Sequence, residues 1–468
     1  MTRTAPLPAA LAELPVAIIG AGPIGLAAAA QLHERGIESI VLEAGDSAGA
    51  AVQQWAHARL FSTWEHLVDP AAARLLDRAG WDAPAAARLP TGRELVDAYL
   101  APLAATPELA PSIHYRSAVI AVTRERADRT RTARRDRTPF VLRVQTDAGV
   151  EERRARAVID ASGTWGTPNP LGSNGLDPIG IETVAENLHG ALPDVLGADR
   201  AWFAGRRTLV VGAGHSAAST LLALTALARE TGTGDITWAI RGNRPTRVSG
   251  DADDELRERG LLGSRVHELV RSGETTLVDR FQIDRVERAE DGAVRVMGAS
   301  RRGRAALEVD EVVVATGFRP ELGMLRELRL DLDEIVEAPR ALAPLIDPNL
   351  HSCGTVYPHG VAELAHPEHD FYLAGMKSYG RAPTFLLLTG YEQVRSIADE
   401  LAGDAAAARR VELVLPETGV CSTDIGSASS SGAGGCCSVD PAAAVPGTIP
   451  AEAVTAADGR SLLPLAGR

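Results

Sequence analysis

Short apolar runs, each followed by a glycine-rich turn and an Ala-rich stretch of helical character, occur twice along this chain. Val16-Ala17-Ile18-Ile19 reads as a short buried strand, Gly20 to Gly25 as a tight turn, and Leu26 to Arg35 as a helix. Ser39-Ile40-Val41-Leu42 is the next strand, and it ends in Glu43. Residues 46–110 read as helix or loop and carry Trp55, Phe61, Trp64 and Trp81. Strands are predicted over Ile113 to Val122, Phe140 to Thr146 and Ala157 to Asp160. The first pattern then returns. Thr208-Leu209-Val210-Val211 is a strand, Gly212 to Ala217 a turn, and a long helix runs to about Arg229. Ile236 to Ile240 is a strand ending at Arg241, and Glu311 to Val314 runs into Ala315-Thr316-Gly317. From about Pro416 onward Ser, Gly, Ala and Pro dominate, which is too little apolar surface for a packed core.

The two turns carry the candidate chemistry. A phosphate-binding βαβ turn uses its first Gly to turn tightly, its second to let a pyrophosphate approach the backbone, and its third to let helix pack on strand. The pyrophosphate rests on the helix N-terminus, where N–H groups and the helix dipole favour an anion. Gly20, Gly22 and Gly25 fit these places, with Pro23 opening the helix. Glu43 lies about 20 residues on, where an acid grips ribose hydroxyls. In the second turn Gly212 and Gly214 are followed by Ala217, an accepted variant of the third glycine, with His215 and Ser216 between them. The strand after it ends in Arg241, with Arg244 and Arg247 following. An acid there would repel a 2′-phosphate and Arg would pair with it, so the pattern favours NADPH over NADH. Two such sites imply one cofactor held and one exchanged.

Composition narrows the function classes. The 468 residues suit about three domains. A net charge of −13 argues against nucleic acid as a partner. The Arg-rich run from Arg124 to Arg137 is the local exception, and it reads as a solvated loop. Four cysteines in this length do not make a disulfide scaffold. No run of about 20 apolar residues occurs, and Val16 to Leu32 carries dinucleotide glycines with no cleavage-site pattern after it. A cytoplasmic protein with no membrane contact is expected, and a homodimer is the default assembly. Lys377 is the sole lysine among 48 basic residues.

On these motifs the chain resembles the two-dinucleotide-binding flavoproteins, and among them the class B flavin monooxygenases, over roughly residues 14–403. Ala161-Ser162-Gly163-Thr164-Trp165 resembles the first crossover between the two nucleotide domains. Ala315-Thr316-Gly317-Phe318-Arg319-Pro320 resembles the second. Trp202 to Arg207, and Ser216 in the following turn, are also similar to these enzymes, and Phe371 to Gly375 resembles their closing flavin segment. There are departures. His189 stands at the distance of the FxGxxxH histidine, but Thr183 and Ala185 hold the Phe and Gly places. Met376 and Lys377 follow Gly375, where the family carries an acid toward the ribityl–phosphate part.

The resemblance implies an α/β fold of two Rossmann-like domains binding FAD and NADPH. The FAD domain would comprise 1–168 and 318–410, the NADPH domain 169–317, and the tail 411–468. It implies reduction of FAD by NADPH, then a C4a-hydroperoxide formed with oxygen, which oxygenates a small soft nucleophile. Gln53, Trp55, Arg59 and Val119 are assigned with the glycines to the flavin site, although Trp55 reads equally as a core aromatic. Lys377 has two readings: an ammonium stabilising reduced flavin, or a surface lysine. His57, His66 and His189 read as structural. Cys436-Cys437 resembles the tail thiol pair of mercury-reducing flavoenzymes. With Cys421 it would capture a thiophilic metalloid or pass electrons to a disulfide. A narrower similarity is to the flavoprotein monooxygenases of arsenic-resistance operons. Rival readings are an NADPH-dependent metalloid or disulfide reductase and a redox sensor or metalloid-binding protein with little turnover. No metal site is expected.

Overall fold

The computed structural model describes residues 8–243, 257–347, 358–383 and 385–413. Its frame is two parallel sheets, as the repeated pattern predicts. Strand β1 (Val16–Ile19) is wholly buried, as befits a central parallel strand covered on both faces. It pairs with β2 (Ser39–Leu42), which pairs with β3 (Ile113–His114). On its other side β1 pairs with β7 (Ala157–Asp160), which pairs with β16 (Phe371–Leu373). All four pairings are parallel, giving the order β16-β7-β1-β2-β3. The second sheet has the order β11-β10-β9-β15-β8, from β8 (Leu188–His189), β9 (Arg207–Val211), β10 (Asp235–Ala239), β11 (Thr276–Val278) and β15 (Glu311–Val314). Its pairings are parallel too.

Each sheet carries helices on one face and a three-stranded antiparallel sheet on the other. The helix Pro23–Glu34 starts at its proline, whose fixed φ and missing N–H suit a first helical position. Its Ala27–Ala30 run is fully buried in the core of the first sheet. On the opposite face β4 (Ala118–Arg124), β5 (Phe140–Thr146) and β6 (Gly149–Ala155) set Val122, Phe140, Leu142 and Val144 against Ile19, Val158 and Phe371. In the second sheet the helix His215–Thr231 ends on Gly232 in the left-handed conformation. There β12 (Gln282–Arg288), β13 (Val294–Ser300) and β14 (Gly303–Val309) cover Leu209, Val211 and Val312.

Two expectations are corrected here. The strand predicted over Ile113 to Val122 is broken. Arg116 takes a φ of 50°, a left-handed turn that sends β3 to one sheet and β4 to the other. The arginine run from Arg124 is not wholly solvated. Arg126, Arg129, Arg131, Arg134 and Arg137 are exposed, but Arg124 and Arg135 are buried around Glu368. Sequence spacing could not show this, because the carboxylate comes from a distant segment. Among the described residues, no helix is long and apolar enough to cross a membrane.

One buried acid sets a pH dependence. Asp69 is inaccessible to solvent and caps the helix Pro70–Arg78 through Ala72 N–H, while Gln31 Nε2 donates to its carboxylate at 3.0 Å. Burial pushes its pKa up to about 6, against the hydrogen bonds that favour the ion. A raised acid contributes stability that is complete below its unfolded pKa near 3.8 and is lost as pH rises through about 6. Asp69→Asn keeps an oxygen for the cap and cannot ionise. Relative to the parent, the variant should gain on the order of 2–3 kcal/mol between pH 4 and pH 7. Urea midpoints across that range measure it, and a pH-independent difference between the two proteins would refute the assignment.

Candidate functional site

The two glycine turns are built alike. Gly20 has a φ of 98°, and a Cβ on it would meet Ala161 O at 3.0 Å. A Cβ on Gly25 would lie 1.9 Å from Gly20 O, so the third glycine lets the helix seat on its own turn. In the second turn Gly212 has a φ of 137°, and a Cβ there would lie 2.0 Å from Ala315 O. Ala217, in the third place, is tolerated and fully buried. The middle glycines differ. A Cβ on Gly22 or Gly214 would have no neighbour within 4 Å, and each glycine is the N-cap of its helix in extended backbone. Both helix N-termini therefore carry open space where a side chain would stand, which fits an approaching pyrophosphate.

Both turns open on one cavity of about 800 Å³. Gly20, Gly22, Pro23 and Glu43 line it from the first sheet, and His215 and Ser216 from the second. Trp55, Arg59, Val119, Ala161, Ser162, Gly163, Gly375 and Lys377 join them. The other assigned residues do not line it. Gln53 donates to Ser47 Oγ at 3.1 Å on the surface. Gly25, Gly212, Gly214 and Ala217 shape the turns behind the lining. Ala315, Thr316 and Gly317 form the crossover segment that follows β15, where Thr316 Oγ1 donates to Asn169 O at 2.7 Å and Asn169 N–H to Gly317 O at 2.9 Å. Arg241 is exposed and donates to Ser173 O at 3.2 Å. Arg244, Arg247, Cys421, Cys436 and Cys437 lie outside the described residues.

Glu43 stands at the C-terminal end of β2, as its spacing predicts. Its carboxylate accepts from Ala21 N–H at 2.6 Å and Gly45 N–H at 2.8 Å, which fixes it over the turn. Beside it the cavity wall is aromatic. Trp165 lies 4.9 Å from Phe318 and 6.3 Å from Trp55, centroid to centroid, and its indole N–H donates to Gln54 Oε1 at 2.8 Å. Trp55 is thus part of the lining and also packs against the first core. Phe61, from the first sheet's loop, sits 5.5 Å from His215 at the second turn. Phe61 and Phe318 carried no signal by themselves, because an aromatic in a loop reads the same in wall or core.

Lys377 corrects the picture of a cation standing ready beside a flavin. Its side chain is fully buried, and Nζ donates to Asp160 Oδ2 at 2.7 Å and to Ser162 Oγ at 3.0 Å. Its charge is committed to Asp160, which is also fully buried at the end of β7. Asp160 had one available signal: like Glu43, it is an acid ending a buried strand. His189 pairs with Glu311 at 2.8 Å between Trp202 and Phe203, away from the cavity. His57 is exposed, and His66 meets Thr63 Oγ1 at 3.2 Å.

Solved structures share this fold. A bacillithiol disulfide reductase from Bacillus cereus is 18% identical, with a TM-score of 0.61 over 83% of this chain and 99% of its own. A flavin-containing monooxygenase from Stenotrophomonas maltophilia is 23% identical, with a TM-score of 0.55 over 83% and 98%. An FAD-bound cadaverine monooxygenase of desferrioxamine biosynthesis from Erwinia amylovora is 12% identical, with a TM-score of 0.58 over 88% and 99%. At these identities the likeness concerns the fold: α/β, with two dinucleotide-binding domains. A search of curated proteins finds no match. The family model described as pyridine nucleotide-disulphide oxidoreductase matches residues 17–352, and the chain belongs to that family.

Proposed function

We propose that the chain is an NADPH-dependent, FAD-containing monooxygenase acting on a small soft nucleophile. The observation that carries this reading is the single cavity shared by two glycine turns of matched geometry. Gly20, Gly22 and Pro23 would hold the FAD pyrophosphate and Glu43 its adenosine ribose. Gly214, His215 and Ser216 would hold NADPH. When bound, FAD would supply the chemistry of hydride acceptance from NADPH and onward electron transfer. The chain's part is to orient the two nucleotides and keep water from the reacting end, a task suited to Trp55, Trp165 and Phe318. Such a wall would suit oxygen chemistry, in which a reactive intermediate is protected from water.

A second reading, a disulfide or metalloid reductase working through Cys436 and Cys437, is favoured by the family match and the likeness to a bacillithiol disulfide reductase. A role in arsenic resistance rests only on the sequence resemblance. The FAD-reconstituted protein separates the readings. Given labelled oxygen, a monooxygenase oxidises NADPH in step with entry of one labelled atom into the sulfoxide of a thioether substrate or the hydroxylamine of an amine, the other atom leaving as water. A reductase oxidises NADPH without oxygen when given a disulfide, and Cys436→Ser with Cys437→Ser abolishes that.

The NADPH preference has its own check. The hydrogen bond from Arg241 to Ser173 O occupies one N–H of a guanidinium that has others to offer. Arg241→Ala should raise the KM for NADPH about tenfold and leave that for NADH unchanged. Equal effects on both would remove Arg241 from the 2′-phosphate site.

A further inference from the structure

The geometry points to Ser162 as a hydrogen-bond acceptor for a ribityl hydroxyl of FAD, with Asp160 and Lys377 as the residues that position it; this rests on the FAD reading above. Ser162 is exposed in the cavity and lies against the first glycine turn, since a Cβ on Gly20 would meet Ser162 Cα at 3.1 Å. Its hydroxyl is doubly tied. Oγ donates its proton to Asp160 Oδ1 at 2.6 Å and accepts from Lys377 Nζ at 3.0 Å. Ser162 N–H also donates to Oδ1, at 3.1 Å. A serine hydroxyl has one proton and two lone pairs. With the proton committed to a carboxylate, what Ser162 has left for a ligand is a lone pair.

That decides which part of a dinucleotide it can meet. Phosphate oxygens are acceptors and gain nothing from a second acceptor. A polyol hydroxyl is a donor and fits. The sheet order says which polyol. Glu43 ends β2, on one side of β1, whereas Ser162 follows β7 and Lys377 follows β16, on the other side. With the adenosine ribose on Glu43 and the pyrophosphate over the turn after β1, the β7 side receives the flavin half. The first hydroxyls met there are those of the ribityl chain.

The arrangement also accounts for a lone lysine in an arginine-rich chain. Nζ reaches both Asp160 and Ser162 from a fully buried position, where a compact ammonium suits and a planar guanidinium with its wider fork does not. Lys377 acts through Ser162, and its charge is balanced by Asp160.

The test is binding to the flavin-free protein, FAD read by flavin fluorescence and ADP by calorimetry, with thermal melting of the same samples. Ser162→Ala should weaken FAD about tenfold, leave ADP binding unchanged and still melt cooperatively as a folded protein. Asp160→Asn combined with Lys377→Met, a neutral pair, should weaken FAD to a similar degree. Adding Ser162→Ala to that pair should then cost little more, because the three act as one unit. A Ser162→Ala protein that binds FAD like the parent overturns the inference. So does equal weakening of FAD and ADP, which would place the contact on the adenosine half. Ser162→Ala decides the acceptor whatever the fold of the double variant. If the parent itself binds ADP but not FAD, it is the FAD reading that fails.

Discussion

Replacing Glu368 with glutamine is expected to destabilise the fold by about 3–5 kcal/mol, because it strands two buried guanidinium groups. Glu368 Oε1 accepts from Arg124 Nε at 2.8 Å, and Oε2 accepts from Arg135 Nε at 2.9 Å and Arg329 N–H at 3.1 Å. Arg124 completes its bonding with Thr138 O and His369 O and lies 3.5 Å over the Phe140 ring. Arg135 donates to Asp128 O and Glu327 O. The cluster fastens the end of β4 and the β4–β5 connection to the segment that leads into β16. Glutamine keeps the shape but turns an NH2 toward donors and removes the counter-charge. Arg124→Met in the same chain should recover part of the loss, a coupling that denaturant midpoints of the two single variants and the double would measure. Additive effects would mean that the cluster is not a unit.

The same carboxylate gives an acid limit. Burial works to raise the Glu368 pKa, and the hydrogen bonds from Arg135 and Arg124 outweigh it and hold the group below the ordinary carboxylate range. A depressed acid contributes stability above its unfolded pKa, near 4.5, that is lost as pH falls through the folded value. Glu368 and Asp69 therefore act in opposite senses below neutrality.

What the sequence disclosed follows from the range of each interaction. The nucleotide turns are local: a run such as Val16–Ile19, three small residues at fixed spacing and an Ala-rich helix determine each other within about 30 residues. Glu43 was legible for the same reason, since β2 follows the turn directly and its end is set by Leu42. The pairing of Lys377 with Asp160 and of Arg124 with Glu368 crosses more than half the domain, and nothing in composition selects one acid among 61. The uniqueness of Lys377 marked the residue but not its partner, and the partner commits its charge to a buried ion pair. Arg116 shows a third limit. Val119 and Val122 continue the apolar pattern of Ile113, and the turn between them depends on one positive φ that arginine does not advertise.

The sharpest expected contrast lies within the glycines themselves. Gly22→Ala should leave the flavin-free fold intact and weaken FAD binding by roughly ten- to a hundredfold, the effect of about 1–3 kcal/mol of crowding. The backbone at Gly22 has a φ of −79°, open to any residue, and its Cβ would meet no protein atom within 4 Å. Only a ligand stands to be displaced. Gly25→Ala is a different experiment, since its methyl would lie 1.9 Å from Gly20 O and must shift the helix or the turn. That variant should lose thermal stability before any ligand is added. The second turn repeats the contrast with the other nucleotide. Gly214 has a φ of −98° and open space, so Gly214→Ala should bind FAD normally and resist reduction by NADPH. Gly212→Ala would press on Ala315 O at 2.0 Å and strain the crossover. Melting curves with and without FAD, and anaerobic bleaching of the flavin by NADPH, read all four variants. If Gly22→Ala binds FAD as the parent does, no pyrophosphate approaches this turn. If Gly214→Ala is the variant that loses FAD, the assignments of the two sites are exchanged.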